Sequence, residues 1–295
     1  MDYFDRVQRV IDHIEIHLSD ELTLTELSTI SCYSPYHFHR VFLILTGINV
    51  MEYIRNRRLA KSLEEIENTD KTILEISLSY RFNSCDTFTR AFRRKYGMNP
   101  GTYRKTREMK AKPQDKINLM DNLNINNYRS FFMEPKIIEK GQFLFAGFEL
   151  KTSSVEGKNY KEIPEFWKSY IKNNLKEKIK NKSDENIEIA VCCDFDPDTQ
   201  NFSYVIGFEV DSFDGLPGDI FQREIPGAKY AVFTTPKSTP ANFSESIQKT
   251  ASFVFKEWLP ESGYEYDDRC VDFEWYDRRM LNDDQCRMEI YVPVK

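Results

Sequence analysis

The sequence predicts an all-α domain followed by an α+β domain with an antiparallel sheet. Three observations predict it. Apolar residues recur at three and four through roughly the first 107 residues, and at two in places from Pro135 onward. The helical stretch aligns with itself when slid by 49 or 50 residues. Between the two patterns, residues 113–133 run from Pro-Gln-Asp, just after Lys112, into scattered asparagines, the composition of a linker. The expected division is therefore 1–110 helical, 111–134 linker and 135–295 α+β.

Each element has a local reason. Tyr3, Val7, Val10, Ile11, Ile14 and Leu18 make one apolar helix face. Thr23 precedes Glu26, and Thr72 precedes Glu75, by three residues, the spacing of a capping box. A short apolar helix follows each, then a turn at 32–34 and at 81–84. Ser34 suits an N-cap and Pro35 the first helical position. The next helices are expected over 35–46 and 85–96, ending where Gly47 and Gly97 supply a left-handed residue. Met51, Ile54, Leu59, Leu63 and Ile66 predict a long helix over 50–66. In the second half, strands are expected at 142–150, 187–193, 202–210, 229–235, 271–276 and 288–294. Helices are expected at 163–179 and 243–259. The order strand, helix, strand, strand occurs twice and reads as a duplicated module.

The self-alignment is specific. At a shift of 49, Thr23 meets Thr72, Glu26 meets Glu75, Leu27 meets Ile76 and Tyr33 meets Phe82. At 50, Phe38 meets Phe88, Arg40 meets Arg90, Phe42 meets Phe92, Gly47 meets Gly97, Asn49 meets Asn99 and Tyr53 meets Tyr103. A shared apolar period would not align Arg, Gly and Asn. Short helix, turn and second helix make a helix-turn-helix, whose second helix enters the major groove of double-stranded DNA. On those helices the Phe pairs face inward. The opposite face of the first copy carries Tyr36, His39 and Arg40, and of the second Asp86, Thr89, Arg90 and Arg93. Arg pairs with guanine edges, while Arg55, Arg57, Arg58, Arg94, Lys95 and Arg104 suit phosphates.

Composition bounds the rest. Hydrophobic residues make up 40% and charged residues 30%, a globular balance. The longest uncharged apolar stretch of the N-terminal half, 41–51, is short of the roughly 20 residues that cross a bilayer, so no membrane partner is expected. Met1 to Arg6 hold no basic segment followed by an apolar one, so no secretory signal is expected. The six Cys include no CxxC pair, which suggests a reducing cytoplasm, no disulfide framework and no zinc or other metal. Net charge is −6, but unevenly distributed: residues 1–112 carry 18 Lys and Arg against 15 Asp and Glu. All four His lie within the first 39 residues, so any catalysis in the second half would rely on carboxylates. Neither a cofactor nor enzymatic activity is expected.

From about Leu22 to Arg107 the chain resembles the AraC/XylS family of transcription regulators. The residues that carry this are Ser34-Pro-Tyr-His-Phe-His-Arg-Val-Phe with Thr46-Gly47, and the run from Phe82 through Gly97-Met-Asn-Pro-Gly-Thr-Tyr-Arg104. The resemblance implies two helix-turn-helix subdomains on one long helix, reading successive major grooves, with RNA polymerase as a possible partner. Tyr36, His39, Arg40, Asp86, Thr89 and Arg90 fall where such proteins contact DNA. Cys32 and Arg81 replace the usual turn glycines, and Ser28 and Ser77 the usual alanines.

Residues 138–295 resemble the GyrI-like effector-binding domain, and the arrangement as a whole resembles the Rob type of regulator. The matching pieces include Ala146-Gly147, Ile163-Pro-Glu-Phe-Trp167, Ile206-Gly-Phe-Glu209, Ile225-Pro-Gly-Ala-Lys-Tyr-Ala-Val-Phe233, Glu257-Trp-Leu-Pro, Phe273-Glu-Trp-Tyr276 and Ile290-Tyr-Val-Pro-Val. The resemblance implies a cleft for a small aromatic or cationic effector, the chemistry of multidrug sensing. Glu274 would supply the counter-charge among Trp258, Tyr230 and Tyr276, with Trp167 and Tyr204 as further candidates. Two alternatives remain open: hydrolysis of small compounds by Glu274 with Glu209, and a protein-interaction module that takes no ligand.

Overall fold

The computed structural model describes residues 3–107, 112–119, 134–278 and 285–295. The chain forms two compact units, 1–123 and 124–295.

In the first unit, α1 (Tyr3–Ile16) buries Val7, Val10, Ile11 and Ile14. It is followed by α2 (Leu24–Ser31), α3 (Pro35–Thr46), α4 (Val50–Asn68), α5 (Ile73–Ser79), α6 (Cys85–Tyr96) and α7 (Pro100–Thr106). Ser34, Gly47 and Gly97 cap as expected, and Ser84 does the same for α6. Ser34 and Ser84 side chains accept from the His37 and Thr87 amides, and Gly47 and Gly97 end α3 and α6 at φ 78° and 79°. Cys32 and Arg81 take the left-handed turn positions at φ 59° and 58°. There the Tyr33 amide donates to the Ser28 carbonyl and the Phe82 amide to the Ser77 carbonyl, the same bond in both copies. Ser28 and Ser77 are buried, and each hydroxyl is satisfied by a carbonyl three residues back, Thr25 and Leu74.

One capping box is complete and one is half made. Thr72 and Glu75 bond each other's amides. Thr23 accepts from the Glu26 amide, but the Glu26 carboxylate lies 3.5 Å from His13 Nε2. The repeat also reaches further upstream than the sequence alignment. Tyr53 donates to Glu15 on α1, and its repeat mate Tyr103 donates to Glu67 at the equivalent end of α4. Each copy is thus a supporting helix plus a helix-turn-helix. Phe88, Phe92, Tyr96 and Tyr103 of the second copy pack with Leu59, Leu63 and Ile66 of α4.

Residues 112–119 return across α1 and α4. Leu119 is buried and its amide donates to Gln8 Oε1 at 2.8 Å, Lys116 pairs with Asp12 at 2.7 Å, and Arg57 donates to the Gln114 carbonyl. Apart from 112–119 and 134, the expected linker 111–134 lies outside the described residues.

The second unit is one antiparallel sheet of eight strands: β1 (Lys136–Lys140), β2 (Phe143–Ser153), β3 (Glu188–Cys193), β4 (Asn201–Val210), β5 (Phe221–Ile225), β6 (Ala228–Thr234), β7 (Phe273–Tyr276) and β8 (Glu289–Val294). Their order, β1-β6-β8-β7-β3-β4-β2-β5, is symmetric about the central β7–β3 pair when each of β1–β4 is matched with its counterpart in β5–β8. The first strand of each half pairs with the second strand of the other half, so neither half completes its sheet alone. Gly147 and Gly207 face each other across β2 and β4, where a Cβ on Gly207 would stand 2.0 Å from the Ala146 carbonyl oxygen.

Three elements differ from the sequence reading. Strands β1 and β5 were not expected; they are the sheet's outer strands, and apart from buried Ile225 their positions are exposed or half-buried. Helix α8 (Asn159–Lys172) ends sooner than expected, because Asn174 turns left-handed at φ 48° before a short 3-10 turn over Leu175–Lys178. Helix α9 (Phe243–Phe253) continues as a wider π-turn through Val254–Trp258. Tyr230, Phe273, Tyr291, Phe145 and Val205 form the core on one sheet face. Contacts of Trp167 with Tyr204 and of Phe253 with Phe233 put α8 and α9 on the other.

Candidate functional site

The two candidate reading helices have the same frame and different surfaces. On α6, Phe88, Phe92 and Tyr96 are buried, while Asp86, Arg90 and Arg93 stand on the opposite stripe at i, i+4 and i+7 and are exposed, with Thr89 half-buried beside them. Arg94 is exposed and Lys95 half-buried, which puts three basic side chains in the last turn of α6. On α3, Tyr36 and Arg40 are half-buried. His39 corrects the sequence reading: it is 4% exposed, and burial pushes its imidazole down to about 4, so it is neutral and off the exposed stripe.

Three of the candidate phosphate contacts are also differently employed. Arg57 is buried in a two-pronged pair with Glu15, at 2.7 Å through both Nε and Nη2. It therefore holds α4 to α1 and is withdrawn from the set of phosphate ligands. Arg58 donates to the Leu18 and Asp20 carbonyls at 2.8 and 2.7 Å, and Arg104 to the Ile66 and Lys71 carbonyls at 3.3 and 2.7 Å. Each fastens the loop that precedes a helix-turn-helix. Arg55 is half-buried. Arg81, not singled out beforehand as a contact, donates to the Ser19 carbonyl and ties the second turn to the loop before the first helix-turn-helix.

In the second unit Glu274 stands on β7 opposite Ala190 of β3. One of its carboxylate oxygens accepts from both Tyr204 and Tyr276, each at 2.8 Å. Trp167 of α8 donates its indole N–H to the Tyr204 oxygen at 3.0 Å and stands edge-on to Tyr276, ring centres 4.9 Å apart. Burial, followed by the neighbouring Glu274 charge, holds both phenols far above their ordinary range, so they remain donors. The arrangement is a half-buried carboxylate in a wall of aromatic rings beneath one helix. Phe243 borders Tyr276 at 6.5 Å; only its helical position marked it in the sequence.

Strand register sorts the remaining candidates. Glu274 pairs with Ile290 and Ile290 with Phe233, so these share a face. Tyr230, an odd number of residues from Phe233, points to the other face, where it packs on Phe273 and Tyr291. It is removed from the effector set. Trp258 shares Glu274's face through Phe233, 5.0 Å away, and stacks on Tyr264. Glu209 likewise points away from Glu274, because Ile206 carries Glu274's face and lies three residues before it; Glu209 pairs with Lys140 at 2.8 Å. The carboxylate pair needed for the hydrolase alternative does not form. Among the described residues, no group of three or more His, Cys, Asp or Glu side chains is placed to hold a metal ion. No helix among them is long and apolar enough to cross a membrane.

Comparison with known proteins gives two domain matches: residues 136–294 to the integron-associated effector binding protein family and residues 27–106 to a helix-turn-helix domain. The uncharacterized HTH-type transcriptional regulator YbfP of Bacillus subtilis is 41% identical over 104 residues, 35% of either chain. The transcriptional regulator Rob of Salmonella typhimurium is 38% identical over 111 residues, 38% of either chain. The chain thus matches little more than a third of the length of these curated relatives. A solved structure, SAV2435 bound to tetraphenylphosphonium, aligns with 55% of this chain and 94% of its own at 17% identity and a TM-score of 0.46. The chain belongs to the integron-associated effector binding protein family through its GyrI-like C-terminal domain, which follows an N-terminal helix-turn-helix domain of the AraC/Rob type.

Proposed function

We propose that this protein is a sequence-specific DNA-binding transcription regulator of the cytoplasm whose C-terminal domain binds a small aromatic cation. The observation that carries the first part is the duplicated helix-turn-helix with Arg40 and Arg90 at matched positions, α6 adding Arg93 on the same exposed stripe. The observation that supports the second is the Glu274 carboxylate oriented by two tyrosine hydroxyls under the Trp167 ring. A carboxylate among aromatic rings attracts an aromatic cation through charge and ring quadrupole together. Effector binding would act on α8 through Trp167 and so on the affinity for DNA or contact with RNA polymerase.

The test has two arms. Duplexes selected by the full chain from a random pool serve as DNA; Arg90→Ala is expected to weaken binding to them by about 1–3 kcal/mol. Tetraphenylphosphonium, a permanent cation faced with rings, serves as effector probe. Glu274→Gln is expected to weaken its binding at least about tenfold, or 1.4 kcal/mol. Equal DNA affinity for Arg90→Ala, or equal cation affinity for Glu274→Gln, overturns the corresponding half of the reading.

A further inference from the structure

The second half of the chain is acidic, yet one stretch of it is not. Lys168, Lys172, Lys176, Lys178 and Lys180 follow one another from the last turns of α8 through the 3-10 turn and beyond, and all five are exposed. Within 168–180 only Glu177 is acidic. Five other lysines of this unit pair with carboxylates: Lys140 with Glu209, Lys158 with Glu162, Lys229 with Glu139, Lys249 with Glu245 and Lys295 with Glu265. Among the described residues Lys176 feels the charge of Glu188, while Lys168, Lys172, Lys178 and Lys180 stand exposed.

The row is held on fixed backbone. Ile179 is 2% exposed and packs with Phe208, Val210 and Ile220. Just beyond it Lys182 bridges to Val210, the Ser183 amide donates to the Glu209 carbonyl, and the Asp211 amide donates to the Asn181 carbonyl. A folded segment that lines up like charges bears their mutual repulsion until a polyanion neutralises it. Lysine is depleted from protein–protein interfaces, whose binding energy rests on buried aromatic and Arg anchors. Here Ile171 is the one large apolar side chain exposed beside the row among the described residues. Point charges without forks or rings suit phosphates read without regard to sequence.

We propose that this lysine row is a second contact surface for the phosphate backbone of duplex DNA, separate from the helix-turn-helix pair. The inference rests on the DNA-binding reading above. It also places both contacts on α8: Trp167 meets the effector site, and Lys168 and Lys172 the DNA.

The test uses the full chain and the triple variant Lys176→Gln/Lys178→Gln/Lys180→Gln. Binding to a mixed-sequence duplex of about 40 base pairs is followed by fluorescence anisotropy from low to moderate KCl. Each lost phosphate contact lowers the slope of log K against log salt by about 0.9, so the triple variant is expected to lose about 2–3 from its slope. The exposed sites leave the fold intact, which an unchanged thermal transition checks. An unchanged slope in the triple variant, with binding lost in Arg90→Ala/Arg93→Ala, overturns the lysine surface and leaves the DNA-binding reading standing. Unchanged binding in both variants removes the reading itself and the inference with it. Should the triple variant keep its DNA slope but lose binding to poly-glutamate, the row serves an acidic protein and the proposal fails.

Discussion

Replacing Arg57 with Ala separates a structural arginine from a DNA-contacting one. Its side chain is 9% exposed and that of its partner Glu15 12%. Two bonds of 2.7 Å to Glu15 and one to the Gln114 carbonyl would be lost, leaving the Glu15 carboxylate buried with only Tyr53, at 2.8 Å, to bond it. Breaking one side of a buried pair costs about 3–5 kcal/mol, and the remaining solvent access places the expected loss at the lower end, about 3. The assay is urea unfolding read twice. Far-UV circular dichroism follows both units, while the three tryptophans, Trp167, Trp258 and Trp275, all lie in the second. At an m of about 1–3 kcal/mol/M, the helical transition is expected to fall by about 1–3 M urea. The tryptophan transition is expected to stay in place. Glu15→Leu/Arg57→Leu should recover most of the loss, since an apolar pair leaves no buried charge. An unmoved helical transition, together with a DNA salt slope reduced by one phosphate, would refute the assignment and return Arg57 to the DNA surface.

Three further outcomes follow from the same geometry. Burial raises the Glu15 carboxyl, but hydrogen bonds from Arg57 and Tyr53 and the Arg57 charge outweigh it, so it titrates below its ordinary 4.5. Its contribution is therefore complete above about pH 4.5 and lost as pH falls through the lowered folded value, and Glu15→Gln should flatten the acid side of the helical unit's stability profile. Gly207→Ala forces a Cβ onto the Ala146 carbonyl and should destabilise the tryptophan-reported unit by about 1–3 kcal/mol, with the helical unit unmoved. Cys32→Gly, at φ 59°, should raise the helical transition by up to about 1 kcal/mol, whereas an unchanged or lowered midpoint would show that this turn carries no strain.

Much of the helical half was legible because its signals are local. Ser34-Pro35 and Gly47 bound α3, and Ser84 and Gly97 bound α6, each through backbone groups within four residues of the cap. The outer strands β1 and β5 were missed because they bury little and carry no clear apolar alternation. Helix α8 was drawn too long because Leu175 and Ile179 continue its apolar period, while the left-handed turn at Asn174 is a backbone event that the period does not register. At the candidate effector site Tyr204, Tyr276 and Trp167 gather around Glu274, whereas Tyr230, which aromatic character alone groups with them, faces the other side of the sheet.

The sequence by itself determined the two-domain plan, the double helix-turn-helix and the residue types gathered at each candidate site. It could do so because period, caps and the internal repeat are written within a few residues or as a copy. Only the tertiary structure decided which side chains remain available. Arg57 meets Glu15 across 42 positions, His39 is shut in, and one strand register sends Tyr230 and Glu209 away from Glu274. A side chain's partners and its face of a sheet are set by segments far away in the chain, and no local pattern encodes that distance.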